Sequence, residues 1–193
     1  MTKPIVNARA MLLERGKKIL LQRGYFALSV SGLTKQCNMG TGTFYSYFPS
    51  KADLAVAIAQ KDWDEMLTQM DLAINSKLAF EEKLRHIYLE LKAFTDVYMT
   101  YWAQFGAERG NVERFAVIQT NCIRQVAERV LRVIREITRE YPEVVLPLAS
   151  DKLALLIVEN MFVIAKTPVF TFDNFAKFLR NWAFVIKTAN KGN

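Results

Sequence analysis

The chain has 193 residues, 51% of them hydrophobic and 23% charged, with 26 Lys and Arg against 19 Asp and Glu. This composition excludes a disordered chain and allows one or two domains with a real core; two distant cysteines exclude a disulfide framework. The formal excess of +7 is confined to residues 1–51, which carry eight cations and one anion, Glu14, and so points to a polyanionic partner.

In chain order, residues 8–23 predict a first helix, with Leu12, Gly16, Ile19 and Leu20 on one face and Gly24 as its C-terminal stop. Ser29 is an N-cap for a short helix over 30–37, and Asn38 suits a left-handed turn. A second short helix covers 41–48 and stops at Pro49. Ser50 and Asp53 then form a capping box that opens a helix over 51–74, about 36 Å long. Further helices are predicted over 78–98, 99–107, 112–140 (capped by Asn111), 150–166 and 173–187. No segment alternates long enough to argue for a sheet, so the fold class is all-α. The N-terminus lacks an apolar signal core. The stretch 153–165 is broken by Glu159 and Asn160 and is short for ~30 Å of hydrocarbon, so no membrane partner and a cytoplasmic location are expected.

Two short helices joined by a tight turn and braced by a preceding helix form a helix-turn-helix, whose second helix fits a major groove while surrounding cations neutralise phosphates. The run from Gly24-Tyr25 through Ser29-Val30 to Gly42-Thr43-Phe44-Tyr45-x-x-Phe48-x-x-Lys51 closely resembles the DNA-binding segment of TetR/AcrR-type transcriptional regulators. The resemblance covers roughly residues 8–56. It implies a DNA-binding domain over 1–51, a ligand-sensing and dimerisation domain over 52–193, and a long helix joining them. By the same resemblance Ser29, Tyr45 and Lys51 contact phosphate. Thr41, Gly42, Thr43 and Tyr47 face bases or the flanking backbone, with Ser31 and Ser46 as weaker candidates. Leu33, Met39, Phe44 and Phe48 are the expected core of the motif. Asn38, Gly40 and Thr41 depart from the family's usual residues, so the operator sequence does not follow from relatives.

The remaining 142 residues balance their charges. Leu153, Leu156 and Ile157, with Phe175, Phe178, Leu179, Trp182 and Ile186, make two strongly apolar helices. They are expected to form a four-helix dimer interface, the family's mode of dimerisation, or else an internal core. Tyr98, Tyr101, Trp102, Phe105 and Phe115 crowd together in sequence. In the family the helices here enclose a small-molecule pocket, so these rings, with Gln119, Cys122 and Met161, are the expected lining for a small hydrophobic ligand. Two alternatives stand beside this: plain aromatic core, or a lipophilic cation held by Tyr98, Trp102 and nearby Glu108. Cys122 also reads as a buried, inert thiol, and the lone His86 as an exposed helix residue.

No catalytic or metal-ligating constellation and no cofactor motif occurs, so an enzyme is not expected. The implied function is a homodimeric regulator, a repressor, released from a palindromic double-stranded DNA operator by a small hydrophobic ligand. The alternative is a helix-turn-helix protein whose C-terminal domain binds a protein partner instead. Two remoter classes are a helical enzyme and a protein that lays a basic helix on anionic membrane.

Overall fold

The computed structural model describes residues 7–167, 169–182 and 185–186. Its helices are α1 (Ala8–Arg23), α2 (Val30–Gln36), α3 (Thr41–Tyr45), α4 (Lys51–Ile74), α5 (Phe80–Ala107), α6 (Val112–Glu140), α7 (Ser150–Ala165) and α8 (Phe172–Trp182). The fold is all-α, as expected, with one addition. Val144–Val145 (β1) and Val185–Ile186 (β2) form a minimal antiparallel pair, too short to register as alternation in a sequence. Among the described residues no helix is long and apolar enough to cross a membrane.

Three predicted boundaries change. The expected helices 78–98 and 99–107 are one continuous helix, α5, because neither Gly nor Pro interrupts the ladder at 98–99. The helix expected over 41–48 shortens to Thr41–Tyr45, and the backbone continues in turns to Pro49. The last helix ends by Trp182, since Val185 and Ile186 pair as a strand and cannot continue it to 187. Its start is better defined than the sequence suggested. Thr171 Oγ1 accepts from the Asn174 N–H at 3.3 Å, while Asn174 Oδ1 accepts from the Thr171 N–H at 3.2 Å.

The chain divides into two compact units. The first comprises Met1–Glu65 and Val97–Val117. It is wider than the charged segment 1–51, because part of α4 and the α5–α6 corner share its core. Gly16 lets α1 lie close against α4, where an added Cβ would meet Ile58 Cδ1 at 2.9 Å. Gly24 stops α1 at φ 79°, a conformation costly for any residue with a Cβ, and its N–H closes on the Leu20 carbonyl. Gln104 packs against it and accepts the Phe26 N–H at 3.2 Å.

The second unit comprises Met66–Asp96 and Ile118–Asn193. Its buried residues include Met70, Leu84, Leu91, Val126, Val130, Val133, Ile134, Leu153, Ile157 and Val158. Arg129 and Arg132 tie α6 to α4 through Asp71, at 2.6 and 2.7 Å. Lys83 is buried, and its charge is met by both oxygens of Glu136 at 2.6 and 2.7 Å.

Candidate nucleic-acid interface

Within the first unit α1, α2 and α3 pack on one another. Ser29 caps α2 as expected, its Oγ accepting the Gly32 N–H at 3.1 Å. Asn38 turns the chain at φ 51°, the left-handed conformation that Asn tolerates. Leu33, Phe44 and Phe48 are fully or nearly fully buried, whereas Met39, expected beside them, is half-buried. The Phe44 ring lies 5.8 Å from Phe48 and meets Tyr45 edge-on at 5.3 Å.

The other side of α3 faces outward. Thr41, Gly42 and Ser46 are exposed and Thr43 is half-buried; Tyr45 and Tyr47 are 56% and 45% exposed. The two tyrosines thus add exposed rings with hydroxyl donors beside the polar residues of α3. Ser46 is partly engaged, its hydroxyl donating to the Gly42 carbonyl at 3.0 Å. Ser29 and Ser31 are exposed on α2 and at its cap. Arg9, Arg15, Lys18, Arg23 and Lys35 are exposed around them. A short helix with a buried aromatic plug, a polar outer face and a surround of cations can lie against a polyanion.

The structure brings two of the cations under protein control. Lys17 Nζ is 2.5 Å from Asp62 Oδ2, which also accepts the Tyr98 hydroxyl at 2.5 Å. Burial disfavours the Asp62 charge, but the hydrogen bonds from Lys17 and Tyr98 outweigh it and hold the carboxyl below the ordinary range. Lys51 Nζ lies 2.9 Å from Glu108 Oε1 and 4.4 Å from the centre of the Tyr25 ring. Glu108 Oε2 accepts the Tyr25 hydroxyl at 2.8 Å and Asn111 Nδ2 at 2.9 Å. The Tyr25 hydroxyl is pushed up to about 12, first by burial and then by the Glu108 carboxylate. Asn111, expected only as a cap, is thus a buried donor in this network.

Next to Lys51, Ser50 donates to Asp53 Oδ2 at 2.6 Å and accepts the Asp53 N–H at 3.2 Å, so the capping box is present in an altered form. Asp53 also receives Arg114 at 2.8 Å. Asp62, Gln104, Glu108, Asn111 and Arg114 were not legible as partners of the motif. They lie far from it in sequence and carry no spacing signal.

The aromatic set is split. Tyr98, Tyr101, Trp102, Phe105 and Phe115 all belong to the first unit and contact one another at 4.9–6.3 Å, with Phe105 edge-on to Tyr25 at 5.2 Å. Tyr98, Tyr101 and Phe105 are fully buried, and the Tyr101 hydroxyl reaches the Ala55 carbonyl at 3.5 Å. The expected partners Gln119, Cys122 and Met161 belong to the second unit. Met161 is buried, Gln119 is exposed, and Cys122 is half-buried, with burial pushing its thiol up to about 11. Glu108 pairs with Lys51. His86 is exposed, as expected.

The second unit does contain an apolar cavity of about 370 Å³, lined by Phe80, Leu84, Ile137, Tyr141, Val144, Phe172, Ala176 and Leu179, with the Glu81–Arg180 ion pair at 2.8 Å. None of the eight residues expected to line a ligand pocket lines this cavity. Leu153, Ile157, Phe175 and Leu179, expected at a dimer interface, are buried within the chain itself. Leu156 and Phe178 are exposed, and so are Leu155 and Val163 on α7. Helical periodicity marks a residue as inward-facing but does not say which inside it enters. The side chains of Trp182 and Ile186 lie outside the described residues.

Residues 12–58 match the profile of the bacterial regulatory proteins of the tetR family. This segment is of the tetR type. The uncharacterised HTH-type transcriptional regulator YuxN of Bacillus subtilis is 33% identical over 92 residues, which are 44% of this chain and 31% of YuxN. The chain therefore spans under a third of that relative's length. The TetR-like fold extends further than the sequence match. The reduced form of Escherichia coli NemR superposes with a TM-score of 0.67 at 20% identity, over 93% of this chain and 99% of NemR. The regulator FadR of Bacillus subtilis, solved with stearoyl-CoA, gives 0.66 at 16% identity, over 90% and 96% of the two chains. The family and these relatives are regulators, not enzymes.

Proposed function

We propose that the chain is a homodimeric, cytoplasmic DNA-binding repressor that leaves its operator when a small hydrophobic ligand occupies the C-terminal domain. The observation that carries the DNA-binding part is the outward face of α3. Thr41, Gly42, Thr43 and Tyr45 stand on a helix anchored by the buried Phe44, and Tyr47 on the turn that follows it, inside a segment of tetR type. Two such motifs in a dimer would enter successive major grooves, roughly 34–36 Å apart on a palindromic site. Bases are read by uncharged side chains at the start of α3, while Ser29, Tyr45 and Lys51 hold phosphates and set the register.

The test is duplex binding measured against salt. Tyr45→Phe combined with Lys51→Ala is expected to weaken binding to all sequences and to lower the log–log salt slope by about one. Unchanged affinity and slope would remove both residues from the phosphate contact.

The ligand reading is supported by the apolar cavity of the second unit, whose volume suits a small hydrophobic molecule. A likeness in fold to FadR, solved with stearoyl-CoA, agrees with that class of ligand. Dimerisation is supported by the exposed apolar side chains Leu155, Leu156 and Val163 on α7 and Phe178 on α8. Leu156→Glu with Val163→Glu is expected to convert a dimer to a folded monomer in sedimentation at micromolar concentration; a dimer of unchanged strength places the interface elsewhere.

A further inference from the structure

We propose that Glu108 withholds Lys51 from DNA: its carboxylate and a backbone phosphate compete for the same ammonium group, so that this contact lowers operator affinity. The inference rests on the reading of Lys51 as a phosphate ligand. Lys51 is the first residue of the 24-residue helix α4, where the positive end of the helix and its free N–H groups favour a phosphate. In the structure its side chain is already engaged. Nζ lies against Glu108 Oε1 at 2.9 Å and over the Tyr25 ring at 4.4 Å, and the side chain is only 28% exposed.

An ion pair at a protein surface is usually weak, because two long side chains must be ordered to form it. Here one partner is ordered already. Glu108 Oε2 is held by Tyr25 and Asn111, both buried, which leaves Oε1 directed at Lys51. The partner carboxylate, half-buried itself, is therefore fixed by two buried side chains of the first unit, and Lys51 meets it without the cost of ordering a mobile carboxylate. A phosphate that binds Lys51 must either displace this contact or accept a cation whose charge is already half used. Glu108 follows the last turn of α5, so the α5–α6 corner acquires a direct influence on the phosphate contact.

The experiment measures duplex DNA affinity between about 50 and 300 mM salt, a range in which counterion release dominates. The proteins are the wild-type chain, Glu108→Gln, Lys51→Ala and the double variant. Glutamine keeps a carbonyl oxygen for Tyr25 and Asn111 and removes the charge. Glu108→Gln is expected to bind about two- to fivefold more tightly, with a salt slope steeper by about 0.9. In the Lys51→Ala background the same change is expected to have no effect. Tyr25→Phe removes the hydroxyl that fixes Oε2 while leaving the Glu108 charge, and so moves affinity in the same direction by a smaller factor. It serves as a second probe if Glu108→Gln loses thermal stability.

Equal or weaker binding by Glu108→Gln at an unchanged slope would show that Glu108 orients Lys51 and does not withhold it, which overturns the proposal. An equal gain in the Lys51→Ala background would overturn it too, by showing a general effect of charge. Failure of the wild-type chain to bind any duplex is a different result: it rejects the DNA-binding reading itself, and this inference with it.

Discussion

Phe44→Ala is expected to destabilise the first unit by about 3–5 kcal/mol, the range for truncating a fully buried phenylalanine. Helix α3 has five residues and cannot hold itself together; isolated helices of that length are not stable in water. Its position depends on the Phe44 ring, seated beside Phe48 at 5.8 Å, with Leu33 of α2 buried in the same unit. Since small domains are stable by roughly 5–15 kcal/mol, the loss removes a large share of the total. Phe44→Leu keeps most of the volume and should cost under about 1.5 kcal/mol. Denaturant titration followed by far-UV circular dichroism measures both. DNA affinity should fall with the alanine variant before the fold is lost, because α3 loosens first. A cost below about 1 kcal/mol for Phe44→Ala would mean that α3 is held by something other than this plug.

Asp62→Ala is expected to cost about 1–3 kcal/mol, because its carboxylate is the acceptor for the buried Tyr98 hydroxyl and the counter-charge of Lys17. Lys17 is about 39% exposed and can turn to water, so most of the loss comes from Tyr98. Asp62→Asn retains an acceptor oxygen and should cost less. Replacing both ends, as in Asp62→Leu with Tyr98→Phe, should restore much of the stability, since no buried polar group is stranded. The pH dependence has a definite sign. Asp62, Asp53 and Glu108 all have carboxyl pKa values lowered in the folded chain. Their contribution is complete above the unfolded carboxylate range, near pH 4, and is lost as pH falls through the lowered folded values. The gap between wild type and Asp62→Ala should therefore narrow between pH 7 and pH 3 in chemical denaturation. A gap that stays constant over that range would show that the Asp62 charge contributes nothing.

Much of the motif is legible in the sequence, because local chemistry settles it. The Gly24 stop, the Ser29 cap, the left-handed Asn38 and the Ser50–Asp53 box each depend on residues within a few positions of one another, and each is present. The bounds of α1, α4 and α6 agree with the reading for the same reason. Periodicity was less informative where it marked only an inward face. Leu153, Ile157, Phe175 and Leu179 keep helical spacing whether they face a second copy or their own core, and they are buried in their own chain. The five rings from Tyr98 to Phe115 contact one another, since neighbours on one helix and the next stay neighbours; what they enclose is not a property of their spacing.

By itself, then, the sequence determined the helical class, the caps and the concentration of +7 charge on residues 1–51. These are properties of composition and of short-range spacing, which the chain carries unfolded. Only the tertiary structure decided which of those charges stay free. Lys17 and Lys51 are met by Asp62 and Glu108, 45 and 57 positions away, and pairings at that distance depend on how the helices pack.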